Sequence, residues 1–231
     1  MRAGDNMMLI LDERPSDSPF VDTVWRGRAE NASLRLAPAG GCWVMLVKSR
    51  GHKTRLSVVG PMTKAMPMPC EGDVEFFAIK FKLGTFMPHL PVSNFLNAVI
   101  DLPEAASHSF WLNGSTWQFP RYNNVETFMD RLTRKGLLAR DGVVDAVLQE
   151  RPLGLSPRSV QRRFLYATGL THTSIRQIAR ARRAMTLLQR GVSILEVVHQ
   201  AGYADQPHMT KSLKHFIGQT PAQIARLDQS K

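Results

Sequence analysis

The sequence has very little cysteine and no long apolar run, and each absence excludes a class of protein. Two cysteines among 231 residues, Cys42 and Cys70, are too few for a disulfide framework. We therefore expect a reduced protein of the cytoplasm. No stretch reaches about 18 consecutive apolar residues, so we expect no membrane-spanning helix. The chain also lacks a basic start followed by an apolar segment, so we expect no signal peptide.

The sequence also lacks the short motifs that carry common enzyme chemistry. It contains no glycine-rich phosphate loop, no His-Glu-x-x-His pair and no nucleophile elbow. The plausible metal ligands of the N-terminal part are His52, Cys70, His89 and His108, and their spacing of 18–19 residues matches no short ligand motif. We therefore expect no catalytic residue, no metal site and no cofactor.

Acidic residues are missing from one long segment, and this absence points to a partner. Between Arg151 and Leu195 there are nine arginines and no Asp or Glu. The formal net charge is +11, of which +8 falls in residues 140–231. A solvated face is the alternative explanation of a basic segment. Because the excess is arginine and is concentrated in one region, an acidic partner, most plausibly double-stranded DNA, is favoured.

The basic region contains a repeat. When the stretch from Ser156 to Gly169 is shifted by 49 residues, it falls on the stretch from Asp205 to Gly218. Each copy opens with a residue whose side-chain oxygen can cap a helix, and a proline follows within the first turn. Apolar residues then recur at helical spacing, with polar and basic residues between them. The repeat predicts two copies of one short helix with a buried stripe and an exposed basic face.

Residues 1–120 show the patterns of a small, mostly-β, barrel-like domain. Cys42–Val47 is a compact apolar run, and residues 77–83 alternate between apolar and other side chains, as strands do. Met66–Pro69 cannot form a regular ladder and is predicted as a loop or an edge strand. Val92–Ile100 is predicted to form a short helix. The fold class is therefore α+β with two domains, and residues 121–142 form a helical linker that Gly136 interrupts.

Residues 143–231 are predicted to be entirely helical. Two helix-turn-helix units are expected, with Gly202 supplying a positive φ in the second turn. A linking helix at Ser174–Arg190 would be about 25 Å long. Such a rod would hold two recognition helices near one turn of B-DNA apart, about 34 Å. The paired helices of the two units are Val143–Glu150 with Pro157–Ala167, and Ile194–Ala201 with Gln206–Phe216.

This segment resembles the DNA-binding domain of the AraC/XylS family of bacterial transcription regulators. The matching residues are Gly154-Leu155-Ser156-Pro157-Arg158, Gln161-Arg162-Arg163-Phe164, Thr168-Gly169-Leu170, the Arg180–Leu188 linker, Gly202-Tyr203, His208-Met209-Thr210 and Phe216 through Pro221. The resemblance implies a transcription regulator, such as an activator, that acts at the bacterial nucleoid with RNA polymerase as a partner. It also implies an N-terminal domain that senses a small-molecule effector or forms a homodimer.

The repeat assigns the candidate DNA-reading residues. Positions not needed for the core of each helix face outward near its start, where arginine suits guanine and glutamine suits adenine. The resemblance supports base contacts at six of these eight positions, all except Ser159 and Pro207. The candidate base-contacting residues are Arg158, Ser159, Gln161 and Arg162 in the first helix and Gln206, Pro207, His208 and Lys211 in the second.

Candidate phosphate contacts are Arg163, Thr210, Lys214 and the linker residue Arg182, which would set register and affinity. The alternative for Arg182 and its neighbours Arg180 and Arg183 is that their stems pack along the linker helix.

Two other functions remain open at this level. The first is a small β-barrel, cupin-like enzyme or ligand-binding protein with a DNA-targeting C-terminal domain. Trp25, Trp43, Trp111 and Trp117 would then line a pocket, although such residues more commonly pack in a core. The second is a nucleoid-binding protein without sequence preference.

Overall fold

The computed structural model describes residues 8–106 and 108–228, so the outer ends of the two predicted domains, at 1–7 and 229–231, lie outside it. The strands, in chain order, are β1 Met8–Pro15, β2 Val21–Ala29, β3 Ser33–Ala37, β4 Val44–Arg50, β5 Lys53–Val59, β6 Met66–Cys70, β7 Val74–Phe81, β8 Thr85–Phe86, β9 Val99–Asp101, β10 Glu104–Ala105, β11 Ser109–Leu112, β12 Ser115–Gln118 and β13 Ala139–Arg140. The helices are α1 Val125–Arg134, α2 Gly142–Leu148, α3 Pro157–Thr168, α4 His172–Gln189, α5 Ile194–Gln200, α6 Gln206–Phe216 and α7 Pro221–Asp228.

The N-terminal domain is built on an antiparallel sheet in the order β1-β2-β7-β4-β5-β9. In the described part of the chain its edge strands β1 and β9 do not pair with each other. The mostly-β fold expected for this domain is confirmed. Strands β3 and β6 form a separate two-stranded ribbon. The edge position predicted for Met66–Pro69 is confirmed, because β6 pairs with β3 alone and its prolines need no second partner.

Aromatic and branched side chains fill the core beneath this sheet. Trp43 stacks on Phe81 with ring centroids 3.7 Å apart, and its indole N–H donates to the Thr85 carbonyl at 2.6 Å. Trp117 is also buried, whereas Trp111 is 46% exposed on β11. The expectation that these residues serve mainly as core is confirmed for Trp43 and Trp117.

The segment predicted as a linker belongs to the N-terminal core. Val125, Phe128 and Leu132 of α1 are buried among the residues of that core. Strand β13 then pairs with β8, so the chain remains on the N-terminal domain until Arg140. Sequence patterns mark the helix, and Gly136 ends it at φ 67° as expected. They do not show that the helix is buried, because its apolar stripe fits either a linker or a core element.

The helix predicted at Val92–Ile100 is present only over its first four residues. A short 3₁₀ helix covers Val92–Phe95, and the chain is then extended as β9. Val92 and Phe95 are buried in the N-terminal core. Pairing of Val99 with Val59 at the edge of the large sheet outweighs the weak helical pattern.

The two helix-turn-helix units have different cores. The second unit packs Val197, Met209 and Leu213 against the linker helix α4 and buries them within the C-terminal domain. The first unit buries Phe164 and Ile178 together with residues of the N-terminal domain. The N-terminal residues of this shared core are Ala39, Leu83, Phe86 and Leu96. The first unit therefore depends on the N-terminal domain for part of its burial.

The glycines that end the two repeated helices both lie against the N-terminal domain. Gly169 and Gly218 have φ values of 70° and 83°, which side chains with a Cβ adopt with strain. A Cβ at Gly169 would lie 3.0 Å from the side chain of Val92. A Cβ at Gly218 would collide with the side chain of Leu36. Both repeat units thus contact the N-terminal domain at equivalent positions, Gly169 and Gly218.

Truncation of Phe86 should loosen the first unit and leave the second unit folded. The Phe86 ring meets Tyr166 of α3 edge to face, with centroids 5.2 Å apart. Phe86→Ala should cost about 2–3 kcal/mol of stability because it leaves a cavity in the shared core. Amide hydrogen exchange should therefore accelerate in α3 and stay unchanged in α6. Trp111→Ala, which removes an exposed aromatic ring elsewhere, is the matched control. Equal acceleration in α3 and α6 would contradict the division into two cores.

Candidate DNA interface

Helix α3 is capped and oriented so that its polar residues stay outside the core. The Ser156 hydroxyl accepts the Ser159 amide at 3.3 Å, and Pro157 occupies the first turn, as the sequence predicts. Phe164 and Ala167 are buried. Arg158, Gln161 and Arg162 are exposed on the other side, whereas Ser159 is half-buried and its hydroxyl accepts that of Ser156 at 3.0 Å.

Helix α6 repeats this construction. The Asp205 carboxylate accepts the His208 amide at 2.7 Å. Met209 and Leu213 are fully buried, which leaves Gln206, Pro207, His208 and Lys211 exposed. The His208 ring stands perpendicular to the buried Tyr203 ring at 5.3 Å between centroids. The imidazole is therefore held at the start of the helix.

The exposed face of α6 lines an open surface depression of about 620 Å³. Its walls bring together three candidate base contacts and two candidate phosphate contacts. These residues are Gln206, Pro207, Thr210, Lys211 and Lys214. None of the lining side chains is acidic, so the depression has the charge that a nucleic-acid backbone requires.

The joining helix is 18 residues long, one residue longer than predicted, and begins at the Thr171 cap. Such a helix measures about 27 Å. The turn within each of the two helix-turn-helix units also lies close to its predicted position. Gly202 has a φ of 71° in the second turn, while α2 ends at Leu148 and Glu150 takes a φ of 52° in the first.

A family model described as a helix-turn-helix domain matches residues 151–226. Residues 151–226 are an AraC-type helix-turn-helix domain. Domains of this type bind DNA, so residues 151–226 are a DNA-binding part of the chain. The type of domain expected from the sequence for this segment is confirmed by the match.

Among solved structures, the chain is similar to ToxT from Vibrio cholerae. ToxT of strain O395 bound to (E)-4-(8-methylnaphthalen-1-yl)but-3-enoic acid is 9% identical with a TM-score of 0.42, covering 88% of this chain and 97% of that one. Another ToxT structure of that strain is 9% identical with a TM-score of 0.41, covering 90% and 97%. A comparison with curated proteins finds no match. At such scores the family assignment rests on the helix-turn-helix match alone.

Arg163 of the AraC-type domain is engaged within the protein. Its Nε and Nη2 donate to the two Asp141 carboxylate oxygens at 3.0 and 2.8 Å, and these hydrogen bonds raise the pKa of Arg163. Asp141 also accepts the Val143 amide at the start of α2. The carboxylate therefore ties α2 to α3. No sequence pattern marks this pair, because two residues 22 positions apart leave no local signal.

The prediction that Arg182 contacts phosphate is not supported by its position. Its Nε donates to the Ala39 carbonyl of the N-terminal domain at 2.6 Å. Arg180 lies over the Tyr203 ring at 5.5 Å. Both linker arginines therefore contact other parts of the protein, and Arg182 reaches the N-terminal domain instead of packing along the linker helix. Arg183 is exposed, as is Lys214 on α6.

Two further observations bear on other partners. Within residues 8–106 and 108–228, no three His, Cys, Asp or Glu side chains come together as metal ligands would. The described helices include none with the length and apolar character needed to span a bilayer.

Replacing Arg162 should change sequence preference. Arg162→Ala removes an exposed guanidinium from the outer face of α3 and should cost about 1–3 kcal/mol in binding free energy at one base pair. Binding to duplexes with each base pair substituted in turn measures this effect. Arg134→Ala, which removes an exposed arginine of α1, is the control. An unchanged preference profile would show that Arg162 does not face bases.

Replacing Lys214 should weaken binding to all sequences alike. Lys214→Ala should reduce the slope of log affinity against log salt concentration by about one, because one fewer phosphate charge is neutralised. The slope is measured with a duplex that the protein binds specifically and with a duplex of random sequence. Lys135→Ala provides a matched loss of charge on the N-terminal domain. A changed sequence preference with an unaltered slope would refute the phosphate role.

Proposed function

We propose that the chain is a sequence-specific transcription regulator that inserts α3 and α6 into successive major grooves of one DNA duplex. The observation that carries this proposal is the shared construction of the two helices. Each is capped at its start, buries one apolar stripe and leaves its outward polar side chains near that capped end. The start of a recognition helix is the part that contacts base edges in helix-turn-helix proteins.

The two helices present different candidate base-contacting side chains. Helix α3 offers Arg158, Gln161 and Arg162, of which the arginines suit guanine and the glutamine suits adenine. Helix α6 offers Gln206, His208 and Lys211. Because the two sets differ, one chain should recognise an asymmetric site rather than a palindrome. We propose that the first unit supplies more of the electrostatic affinity, since its recognition helix α3 lies in the segment without acidic residues.

The N-terminal domain is proposed to sense a small molecule, and transcription would be altered through RNA polymerase. An apolar cavity of about 390 Å³ between the large sheet and the β3–β6 ribbon supports the sensing role. A homodimer remains a further proposal, in which two copies would place two asymmetric sites side by side. The cupin-like enzyme is less well supported, because the family match points to regulation. Glu71, an acidic group at that cavity, is paired with Lys48 and Arg55 at 3.7 and 3.0 Å.

Selection of bound fragments from a random DNA pool tests the proposed function. The full chain should enrich a motif with two unlike halves whose centres lie about 10 base pairs apart, which is one turn of the duplex. Titration of the enriched motif and of a random duplex at about 0.15 M salt should then show at least a thousandfold difference, of the order expected of specific binding. Equal affinity for both duplexes would instead identify a nucleoid protein without sequence preference.

A further inference from the structure

A basic depression lies on the N-terminal domain between the end of helix α1 and the hairpin of β11 and β12. Its volume is about 540 Å³, and it shares no lining residue with the apolar cavity. Sites for small molecules measure about 300–1,000 Å³. None of its lining residues belongs to α3 or α6. The lining side chains that carry hydrogen-bond donors include Asn113, Ser115, Thr116, Arg131, Arg134 and Lys135.

Three cations and no acid line the depression. Arg131, Arg134 and Lys135 are exposed, and none of them forms an ion pair in the described part of the chain. Asp130, the acid that precedes them in the sequence, does not line the depression. Basic residues at the end of a helix offset its dipole, which already accounts for arginines on α1. The charges make the depression attractive to an anion but do not by themselves require one.

A buried donor at the same depression points to a ligand. Trp117 is 5% exposed, and its indole N–H is buried without a hydrogen-bond acceptor among residues 8–106 and 108–228. The other buried tryptophan, Trp43, donates its indole N–H to the Thr85 carbonyl at 2.6 Å. Because a buried N–H without an acceptor is costly, the unpaired indole of Trp117 calls for an acceptor that the described residues do not supply.

Arg131 connects this buried donor with the cations. Its guanidinium lies over the Trp117 ring, 5.4 Å from the ring centroid. A hydrogen bond between a guanidinium and an anion is stronger than the contact of an exposed guanidinium with an aromatic face. An anion in the depression would therefore draw Arg131 away from the ring. The indole N–H would then become accessible to an oxygen of the same anion.

The donors in the depression select the kind of anion. Arginine, lysine and an indole N–H only donate, and the hydroxyls of Ser115 and Thr116 are exposed and free to turn as donors. Such a set fits a group with several acceptor oxygens and close to two negative charges, as a phosphate monoester has. A carboxylate offers two oxygens and one charge. A depression of about 540 Å³ also leaves room for the organic part of the ester.

We propose that this depression binds a small phosphate ester, whose phosphate group pairs with Arg131, Arg134 and Lys135 and accepts a hydrogen bond from the Trp117 indole. The Ser115 and Thr116 hydroxyls donate to the remaining oxygens. The site gives the N-terminal domain a ligand other than the occupant of its apolar cavity. It does not depend on the proposed recognition of DNA by α3 and α6.

Binding is tested on the full chain without DNA, in a buffer free of phosphate. Proton–nitrogen NMR resolves the indole N–H signals of the four tryptophans, and Trp117→Phe identifies the signal of Trp117. Phenyl phosphate should shift the Trp117 signal in a saturable way and leave the Trp43 signal in place. Benzoate at the same concentration and ionic strength should not shift it. Inorganic phosphate should shift it with lower affinity, because it lacks the organic part.

Two matched double variants test whether the cations of the depression hold the phosphate. Arg134→Gln combined with Lys135→Gln should reduce the affinity for phenyl phosphate about tenfold. Arg50→Gln combined with Lys53→Gln removes an exposed arginine and an exposed lysine from the β4–β5 hairpin. This control should bind phenyl phosphate as the unaltered chain does. An unchanged Trp43 signal in both variants would show that the core of the domain is intact.

Several results would overturn the proposal. A Trp117 signal that phenyl phosphate does not move would refute the site, and equal effects of benzoate and phenyl phosphate would refute the phosphate. Equal affinities for inorganic phosphate and phenyl phosphate would refute the ester. Equal losses in the two double variants would reveal non-specific attraction to a basic protein.

A salt titration with duplex DNA separates this site from the DNA interface. The double variant at Arg134 and Lys135 should keep the slope of log affinity against log salt concentration that the unaltered chain shows. A flatter slope would identify the depression as a contact for the DNA backbone and would refute the phosphate ester site. Because the NMR titrations contain no DNA, their failure leaves the proposed DNA recognition untouched, and failure of DNA recognition leaves the NMR result standing.

Discussion

Burial shared between the two domains is the constraint on which the presentation of α3 depends. Phe164 and Ile178 lack a complete core of their own and pack with Ala39, Phe86 and Leu96 of the N-terminal domain. The second unit has a hydrophobic core of its own, because the buried residues of that core lie between α4 and α7. The two units are therefore alike in sequence pattern and unlike in what holds them. The second unit has its own core, whereas the first unit shares its core with the N-terminal domain.

This difference gives the N-terminal domain a structural role besides any sensing role. Asp141 shows the arrangement at one position. Its amide donates to the Gly84 carbonyl at 3.0 Å, and its carboxylate caps α2 and binds Arg163 of α3. A displacement at this boundary would reach a recognition helix through two hydrogen-bonded steps. Regulation of DNA binding by the N-terminal domain thus needs no long path through the protein.

The arginines between Arg151 and Leu195, the segment without acidic residues, have several different roles. Arg158 and Arg162 remain exposed on α3. Arg163 pairs with Asp141, and Arg182 crosses to the N-terminal domain. The net charge of the segment predicts nucleic acid as a partner but does not assign a role to each arginine. The role depends on which way the helix turns each side chain, and on what lies opposite.

Interactions between residues close together in the chain account for much of what the sequence by itself determined. The caps at Ser156 and Asp205, the turn at Gly202 and the extent of α6 all follow from interactions within a few residues, and the structure has them where the sequence places them. The outward faces of α3 and α6 follow too, because a helix with a 3.6-residue period and one apolar stripe has one remaining face.

Tertiary structure alone decided the rest. Four features depend on partners distant in sequence. They are the strand order of the large sheet, the burial of α1, the extended chain at Val99–Asp101 and the crossing of Arg182 to Ala39. Such contacts leave no periodic signal, because their free energy comes from surfaces that meet only once the chain is folded. The sequence thus determined that two basic helices would be formed. Only the packed domains decided what supports each helix. They also decided that Arg163 of α3 is paired with Asp141.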